Sequence, residues 1–197
     1  MPVIEKPVAE AIEKSSTADM LFVDMKEFDW AKQPVEVLAQ MDIISKPEDK
    51  MFRPADKVTR QEFTKLIVAA MGMATAEEDS IFSDVSDWAV PYINAAYNSG
   101  VVNGITETEF GGNNNITRQD AVVIIVRAFG FKDENGENPE FTDADKIADY
   151  AAESVKIAAA MEIVSGYDGA FYPIDGCTRA QAAKMIYNAL VLGGKVN

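Results

Sequence analysis

The chain has 197 residues and a formal net charge of -14, from 32 acidic and 18 basic side chains. Because phosphate backbones require clustered Lys and Arg, this balance argues against a nucleic-acid partner. The absence of histidine excludes a His-based metal centre, and the single cysteine, Cys177, excludes an internal disulfide. We expect no cofactor and no metal site, and Cys177 is interpreted as a small buried apolar residue.

The first 20 residues, MPVIEKPVAEAIEKSSTADM, carry Val8, Ala11 and Ile12 at helical spacing. They are predicted to form a helix that packs on the rest of the chain or, alternatively, a linker remnant of a longer protein. They lack the basic and apolar regions of a signal peptide, so the sequence leaves open whether a signal has been removed. No stretch approaches the length of a transmembrane helix, and we expect no membrane insertion.

From residue 21 onward, three motifs recur in a fixed order at intervals of about 60 residues. Each copy starts with Phe-x-Asp. An aromatic residue then begins a first apolar segment, and a Thr-Arg pair begins a second apolar segment. The recurring residues are Asp24, Asp84 and Asp143, then Trp30, Trp88 and Tyr150, then Arg60, Arg118 and Arg179. The pattern predicts repeats at 21–73, 80–131 and 140–192.

Both apolar segments of each repeat have helical periodicity. The first reads WAKQPVEVLAQMDII, WAVPYINAAYNSGVV and YAAESVKIAAAMEIV in the three copies. The second follows a threonine that is predicted to be the N-cap, at Thr59, Thr117 and Thr178. Asp120 stands three residues after Thr117 and is predicted to complete a capping box.

The arginine after each threonine lies in the first turn of its predicted helix. A cation there opposes the helix dipole and costs about 0.3 to 1 kcal/mol. Because the arginine recurs in all three repeats, as Arg60, Arg118 and Arg179, we infer that it has a function. Together with free backbone N–H groups of the helix start, a guanidinium forms a site for a carboxylate or another anion. The alternative is that each arginine pairs with the aspartate of a Phe-x-Asp motif and ties loop to helix.

A helical hairpin with one apolar face cannot bury that face alone. The sequence therefore predicts an all-α protein in which three such hairpins pack around a pseudo-threefold axis. Because the linkers are short and polar, we expect one cooperative domain over residues 21–192, monomeric when isolated. No carboxylate pair, phosphate-binding loop or nucleophile elbow is present to indicate catalysis.

These motifs resemble those of S-layer homology domains over about residues 22 to 192. The resemblance rests on the Phe-x-Asp start, the Trp-Ala helix, and stretches such as FYPIDGCTR that end in a Thr-Arg helix start. It implies a compact three-pronged bundle with grooves between neighbouring repeats. It also implies noncovalent binding of pyruvylated secondary cell wall polysaccharide outside a bacterial cell, with the arginines contacting the carboxylate of the pyruvate ketal.

Other recurring residues have two interpretations each. Asp24, Asp84 and Asp143 either accept sugar hydroxyls or cap loop turns, and both roles can coexist. The aromatic heads are expected in the core, although one exposed beside a groove would stack on a sugar. The glycines of the second and third loops would let backbone approach a ligand closely; they are Gly104, Gly166 and Gly169. Repeat 1 has Lys46 to Lys50 instead, so we predict unequal sites.

The resemblance thus implies a non-catalytic anchoring module for a pyruvylated wall polysaccharide, located at the extracellular bacterial surface. One alternative is binding of peptidoglycan that bears amine groups, which an acidic domain would attract. The other is a protein–protein assembly role within a surface layer.

Overall fold

The computed structural model describes residues 21–132 and 140–194, and the regular elements in these ranges are helices. The six α-helices are α1 (Asp29–Gln40), α2 (Arg60–Ala70), α3 (Val90–Asn98), α4 (Arg118–Phe129), α5 (Asp149–Ala160) and α6 (Arg179–Gly193). Two short 3-10 helices, Asp87–Ala89 and Ala144–Lys146, precede α3 and α5. The all-α prediction is confirmed, whereas the prediction for residues 1–20 lies outside the described residues.

The second helix of each repeat begins at its arginine, directly after a threonine N-cap. Thr59 and Thr178 form complete capping boxes with Glu62 and Gln181. The Thr117 side chain accepts a hydrogen bond from the backbone N–H of Asp120. The Asp120 carboxylate does not accept the backbone N–H of Thr117 in return, so the predicted capping box is incomplete. Aspartate is one methylene shorter than glutamate, and its carboxylate instead accepts the Tyr150 hydroxyl at 2.7 Å.

The chain divides into two compact units. Unit 1 is the described part of Met1–Asp56 with Thr178–Asn197, and unit 2 is the described part of Lys57–Cys177. In unit 1, α1 packs on α6; in unit 2, α3 packs on α2 and α5 packs on α4. The first helix of a repeat therefore packs on the second helix of another repeat, which covers the apolar face that a hairpin leaves open. The single cooperative domain over 21–192 stays a prediction.

Within unit 2, one buried residue from each repeat takes part in a closed ring of backbone hydrogen bonds. The N–H of Val58 donates to Cys177 (3.0 Å), that of Cys177 to Ile116 (2.9 Å), and that of Ile116 to Val58 (3.0 Å). All three side chains are buried, and burial raises the pKa of the Cys177 thiol to about 12. The thiol is therefore an inert apolar group in the ring.

A left-handed backbone residue follows the first helix in all three repeats, at Asp42, Gly100 and Glu162. Gly100 has φ of 71°, and no atom lies within 4 Å of the position that a Cβ would take. Gly100→Ala should therefore lower the free energy of unfolding by about 1 kcal/mol through backbone strain alone. Urea unfolding measures this, with Ser99→Ala at φ of -85° as the control. Equal stabilities of the two variants would contradict the argument.

Candidate functional site

Each arginine lies over the ring of a phenylalanine from a different repeat. Junction A is Arg60 over Phe110, junction B is Arg118 over Phe171, and junction C is Arg179 over Phe52. The guanidinium carbon is 4.8, 5.1 and 4.8 Å from the ring centroid, respectively. These are cation–π distances, so each ring attracts the guanidinium that lies over it. Junctions A and B belong to unit 2, and junction C belongs to unit 1.

Backbone carbonyls hold the guanidinium groups in junctions B and C. Arg118 donates from Nε to the carbonyl of Phe171 at 2.9 Å and from Nη2 to that of Ser165 at 3.2 Å. Arg179 donates from Nε to the carbonyl of Phe52 at 2.8 Å. The arginines therefore do tie a loop to a helix, but through a carbonyl oxygen rather than through the predicted aspartate.

Junction A is built differently. Arg60 donates from Nη2 to the carbonyl of Asn103 at 3.0 Å, which corresponds to the Ser165 bond in junction B. Its Nε is buried and has no hydrogen-bond partner, and Nη1 lies 3.9 Å from Oδ2 of Asp120. Burial, the largest influence, lowers the pKa of both Arg60 and Arg118, although an arginine stays protonated in proteins.

The Phe-x-Asp carboxylates each accept two consecutive backbone N–H groups, starting at the phenylalanine of the same junction motif. The distances are 2.9 and 2.6 Å from Phe52 and Arg53 to Asp24, 2.7 and 2.7 Å from Phe110 and Gly111 to Asp84, and 2.7 and 2.8 Å from Phe171 and Tyr172 to Asp143. This geometry supports the turn-capping interpretation. A sugar hydroxyl would have to share an oxygen that already accepts a bond.

These hydrogen bonds act on the ionisation of Asp84 and Asp143. Burial raises the pKa of Asp84 and Asp143, but the backbone N–H donors together outweigh it. The pKa of each carboxyl therefore lies below its usual value, and both groups are charged at neutral pH.

The expectation of free backbone N–H groups at the helix starts is wrong. The N–H groups of Arg60 and Gln61 donate to carbonyls of Asn114 and Gly112, at 2.9 and 3.1 Å. Those of Arg118 and Gln119 donate to Asp175 and Pro173, at 2.9 and 3.0 Å. Loops of the neighbouring repeat thus occupy the helix N-terminus, and an anion would have to bind guanidinium donors.

The aromatic heads are not in the core, contrary to the prediction. Trp30, Trp88 and Tyr150 are 47%, 46% and 59% exposed. The alanine after each of them is buried instead, so the apolar face of the helix starts one residue later than the pattern suggested; these residues are Ala31, Ala89 and Ala151. Their exposure meets one part of the condition for stacking on a sugar, and a groove position for them stays a prediction.

Two lysines that the sequence analysis did not single out accompany the tryptophans. Lys184 lies over the ring of Trp30 and Lys65 over that of Trp88, with Nζ 5.5 Å from each centroid. Each lysine follows the arginine of its helix by five residues, a spacing that could have identified it. The second helix of repeat 2 has Val123 at the position of these lysines. The aromatic residue that packs near this helix, Tyr150, instead donates its hydroxyl to Asp120.

The loop glycines make room for the chain itself. A Cβ on Gly104 would overlap the carbonyl of Thr106 and the ring of Phe82, and one on Gly166 would lie 2.8 Å from the carbonyl of Ala170. Gly169 has φ of 78°, which a side chain would strain. The structure therefore gives Gly104 and Gly166 a packing role and Gly169 a conformational one, and contact of the three glycines with a ligand stays a prediction.

Two glutamines were also missed. The Gln61 side chain accepts from the N–H of Ser86 at 3.1 Å, and that of Gln119 accepts from the N–H of Ala148 at 3.0 Å. Both bonds fix the start of the next repeat's first helix. The recurrence of Thr-Arg-Gln in two repeats was the available signal.

Residues 21–132 and 140–194 hold no group of three Asp, Glu, Cys or His side chains placed to bind a metal ion. None of the helices there combines the length and apolar character that a membrane span requires.

Comparison with known proteins identifies relatives of two kinds. The chain is 33% identical over 190 residues to an endoglucanase of Bacillus sp. (strain KSM-635), covering 93% of the chain and 20% of the relative. It is 35% identical over 185 residues to an amylopullulanase of Thermoanaerobacterium thermosulfurigenes, covering 90% and 10%. It is 24% identical over 181 residues to the S-layer protein EA1 of Bacillus anthracis, covering 91% and 21%.

The chain thus spans about a tenth to a fifth of the length of these relatives. The family model of the S-layer homology domain matches three segments, residues 21–64, 81–122 and 140–183. Domains of this family are non-catalytic modules that bind cell wall components and anchor surface proteins to the wall. With three matches in tandem, each holding the Phe-x-Asp and Thr-Arg motifs, the chain belongs to the S-layer homology domain family.

Proposed function

We propose that this domain anchors a protein at the extracellular surface of a bacterium by noncovalent binding of a pyruvylated secondary cell wall polysaccharide. The observation that carries the proposal is the arginine held over a phenylalanine at each junction. In junction B, Nε and Nη2 of Arg118 are committed to carbonyls, which fixes the fork before any ligand arrives. A preorganised guanidinium binds a carboxylate at a smaller loss of side-chain entropy.

The ketal carboxylate would accept charge-assisted hydrogen bonds from the outer guanidinium nitrogens. The exposed ring of Trp88, or of Trp30 in unit 1, is available to stack on a sugar face. If several junctions bind along one polymer, avidity multiplies a modest affinity per junction. Nothing in this proposal requires a reaction, and the chain covers only 20% of the endoglucanase and 10% of the amylopullulanase that it matches.

Co-sedimentation with purified Gram-positive sacculi tests the proposal. The domain should pellet with intact sacculi and stay in the supernatant after acid extraction has removed the secondary polysaccharide. A parallel extraction that leaves the polysaccharide in place controls for damage to the peptidoglycan. Pelleting that survives complete extraction would instead assign the binding to peptidoglycan.

The net charge of -14 favours one second candidate, peptidoglycan that bears amine groups. Salt separates the two partners. An anionic polysaccharide is repelled by an acidic domain at long range, so lowering the salt from about 150 mM to about 20 mM should weaken binding a few-fold. A cationic partner would bind more tightly at low salt.

The assembly alternative is tested without wall material. We expect light scattering after size-exclusion chromatography to give the mass of a monomer, 21.5 kDa. A stable oligomer would favour protein–protein assembly over wall binding.

A further inference from the structure

The two junctions of unit 2 present their arginines in different states. In junction B, Arg118 uses Nε to bond the carbonyl of Phe171 at 2.9 Å. In junction A, Nε of Arg60 is buried without a partner, and the guanidinium instead holds Asp120 at 3.9 Å from Nη1. The Arg60 and Asp120 side chains are only 13% and 27% exposed, so solvent screens their attraction less than it screens a surface pair.

The position of Asp120 is fixed from two sides. Its Oδ1 accepts the Tyr150 hydroxyl at 2.7 Å, and its backbone N–H donates to Thr117 at 3.2 Å. Tyr150 is itself oriented by Gln119, whose Nε2 donates to the hydroxyl at 3.2 Å. The Asp120 carboxylate is therefore held in place independently of Arg60, so its interaction with Arg60 costs little additional side-chain entropy.

The corresponding residue of α2 behaves otherwise. Glu62 folds back on its own cap, where Oε2 accepts from the N–H of Thr59 at 2.7 Å and from its hydroxyl at 2.8 Å. Asp120 is too short for this return, and the missing half of its capping box leaves the carboxylate available to Arg60. The shorter acid at this helix position thus places its charge at the junction, whereas the longer acid places it on the helix cap.

We propose that Asp120 is a specificity-determining residue that closes junction A to external carboxylates. It supplies the anion for Arg60 from within the chain, and its charge repels a second carboxylate at the same place. Arg118 forms its hydrogen bonds with neutral carbonyls, and Asp175 and Asp143 act on it only through space, so we infer that Arg118 is the arginine of unit 2 that accepts an external carboxylate. The identity of the natural ligand, a pyruvylated sugar, rests on the proposed function. The closure of junction A by Asp120 is independent of that identity.

The test uses the free carboxylate as its probe. Two-dimensional NMR of the arginine Nε–Hε groups follows the signals of Arg60 and Arg118 as sodium pyruvate is added, against sodium chloride at equal ionic strength. In the wild-type chain, the Arg118 signal should shift with pyruvate and that of Arg60 should not. In Asp120→Asn, the Arg60 signal should shift as well, by an amount comparable with Arg118.

Glu62→Gln is the matched control, because it removes the same charge at the same helix position. Glutamine serves in the equivalent capping box at Gln181, so the fold of the helix start is kept. Its Arg60 signal should stay unresponsive to pyruvate. Tyr150→Phe, which removes the hydroxyl that orients Asp120, should give a response of Arg60 between those of the wild type and Asp120→Asn.

The outcomes separate this inference from the proposed function. A pyruvate response of Arg60 in the wild type, or none in Asp120→Asn, overturns the role of Asp120. An equal response in Glu62→Gln and Asp120→Asn also overturns it, because net charge alone would then explain the effect. If Arg60 responds only in Asp120→Asn but Arg118 never responds, Asp120 closes junction A as inferred and the proposed ligand role of Arg118 fails.

Discussion

Replacing Arg118 with methionine is expected to weaken binding to intact sacculi by about 10- to 100-fold. The loss corresponds to about 1.4 to 2.7 kcal/mol, which is the contribution of about one charge-assisted hydrogen bond to the ligand. Methionine keeps most of the aliphatic volume over the ring of Phe171, so the packing of the junction changes less than it would with alanine. The fraction of protein that pellets with increasing amounts of sacculi measures the affinity.

Arg118→Lys and Arg60→Met are the controls for this prediction. Lysine keeps the positive charge but lacks the planar fork, and we expect it to recover only part of the binding. Arg60 occupies the same position in its own helix, but Asp120 faces it, so Arg60→Met should bind within about threefold of the wild type. Equal losses at Arg60 and Arg118 would contradict the predicted inequality of the junctions.

Replacing Asp143 with asparagine is expected to lower the free energy of unfolding by about 2 to 3 kcal/mol at neutral pH. Both carboxylate oxygens accept backbone N–H groups, from Phe171 at 2.7 Å and from Tyr172 at 2.8 Å. An asparagine has one acceptor oxygen, so its NH2 group would face the second N–H and leave that donor unpaired. Urea unfolding followed by circular dichroism gives the difference.

The pH dependence of this variant provides a second readout. Because the pKa of Asp143 is lower in the folded state than its usual value of about 3.9, its stabilising effect is fully present above that value. It is lost as the pH falls through the folded pKa. The difference between wild type and Asp143→Asn should therefore shrink below about pH 4. A difference that stays constant down to about pH 2 would show that the charge of Asp143 contributes nothing.

The sequence predicted the helices well because their signals are local. Threonine N-caps and apolar periodicity placed the start of α2, α4 and α6 at the observed residues. Burial at the ends of helices was harder to predict. Trp88 and Ala89 are neighbours within a short 3-10 helix, and which of them faces the core is decided by tertiary packing that the sequence pattern does not show.

The partners of the arginines could not be predicted, because they come from other repeats. Arg118 donates to the carbonyl of Phe171, which is 53 residues away. Every residue has a backbone carbonyl, so residue identity does not show which carbonyl an arginine will meet. The recurrence of the three arginines was visible, but the bond of Asp120 to Tyr150 was not. That bond depends on α5 packing on α4, a tertiary contact that brings residues 30 positions apart together.

The hydrogen-bonded ring of Val58, Ile116 and Cys177 bears on how such a protein can grow by duplication. In an open solenoid, each added copy finds an unpaired edge and extends the array. Here the donor and acceptor of each ring residue are already used, and a fourth residue would have to break one of the three bonds. Inserting a fourth repeat into this ring would therefore cost one of its bonds, whereas a second complete triplet would leave all three intact.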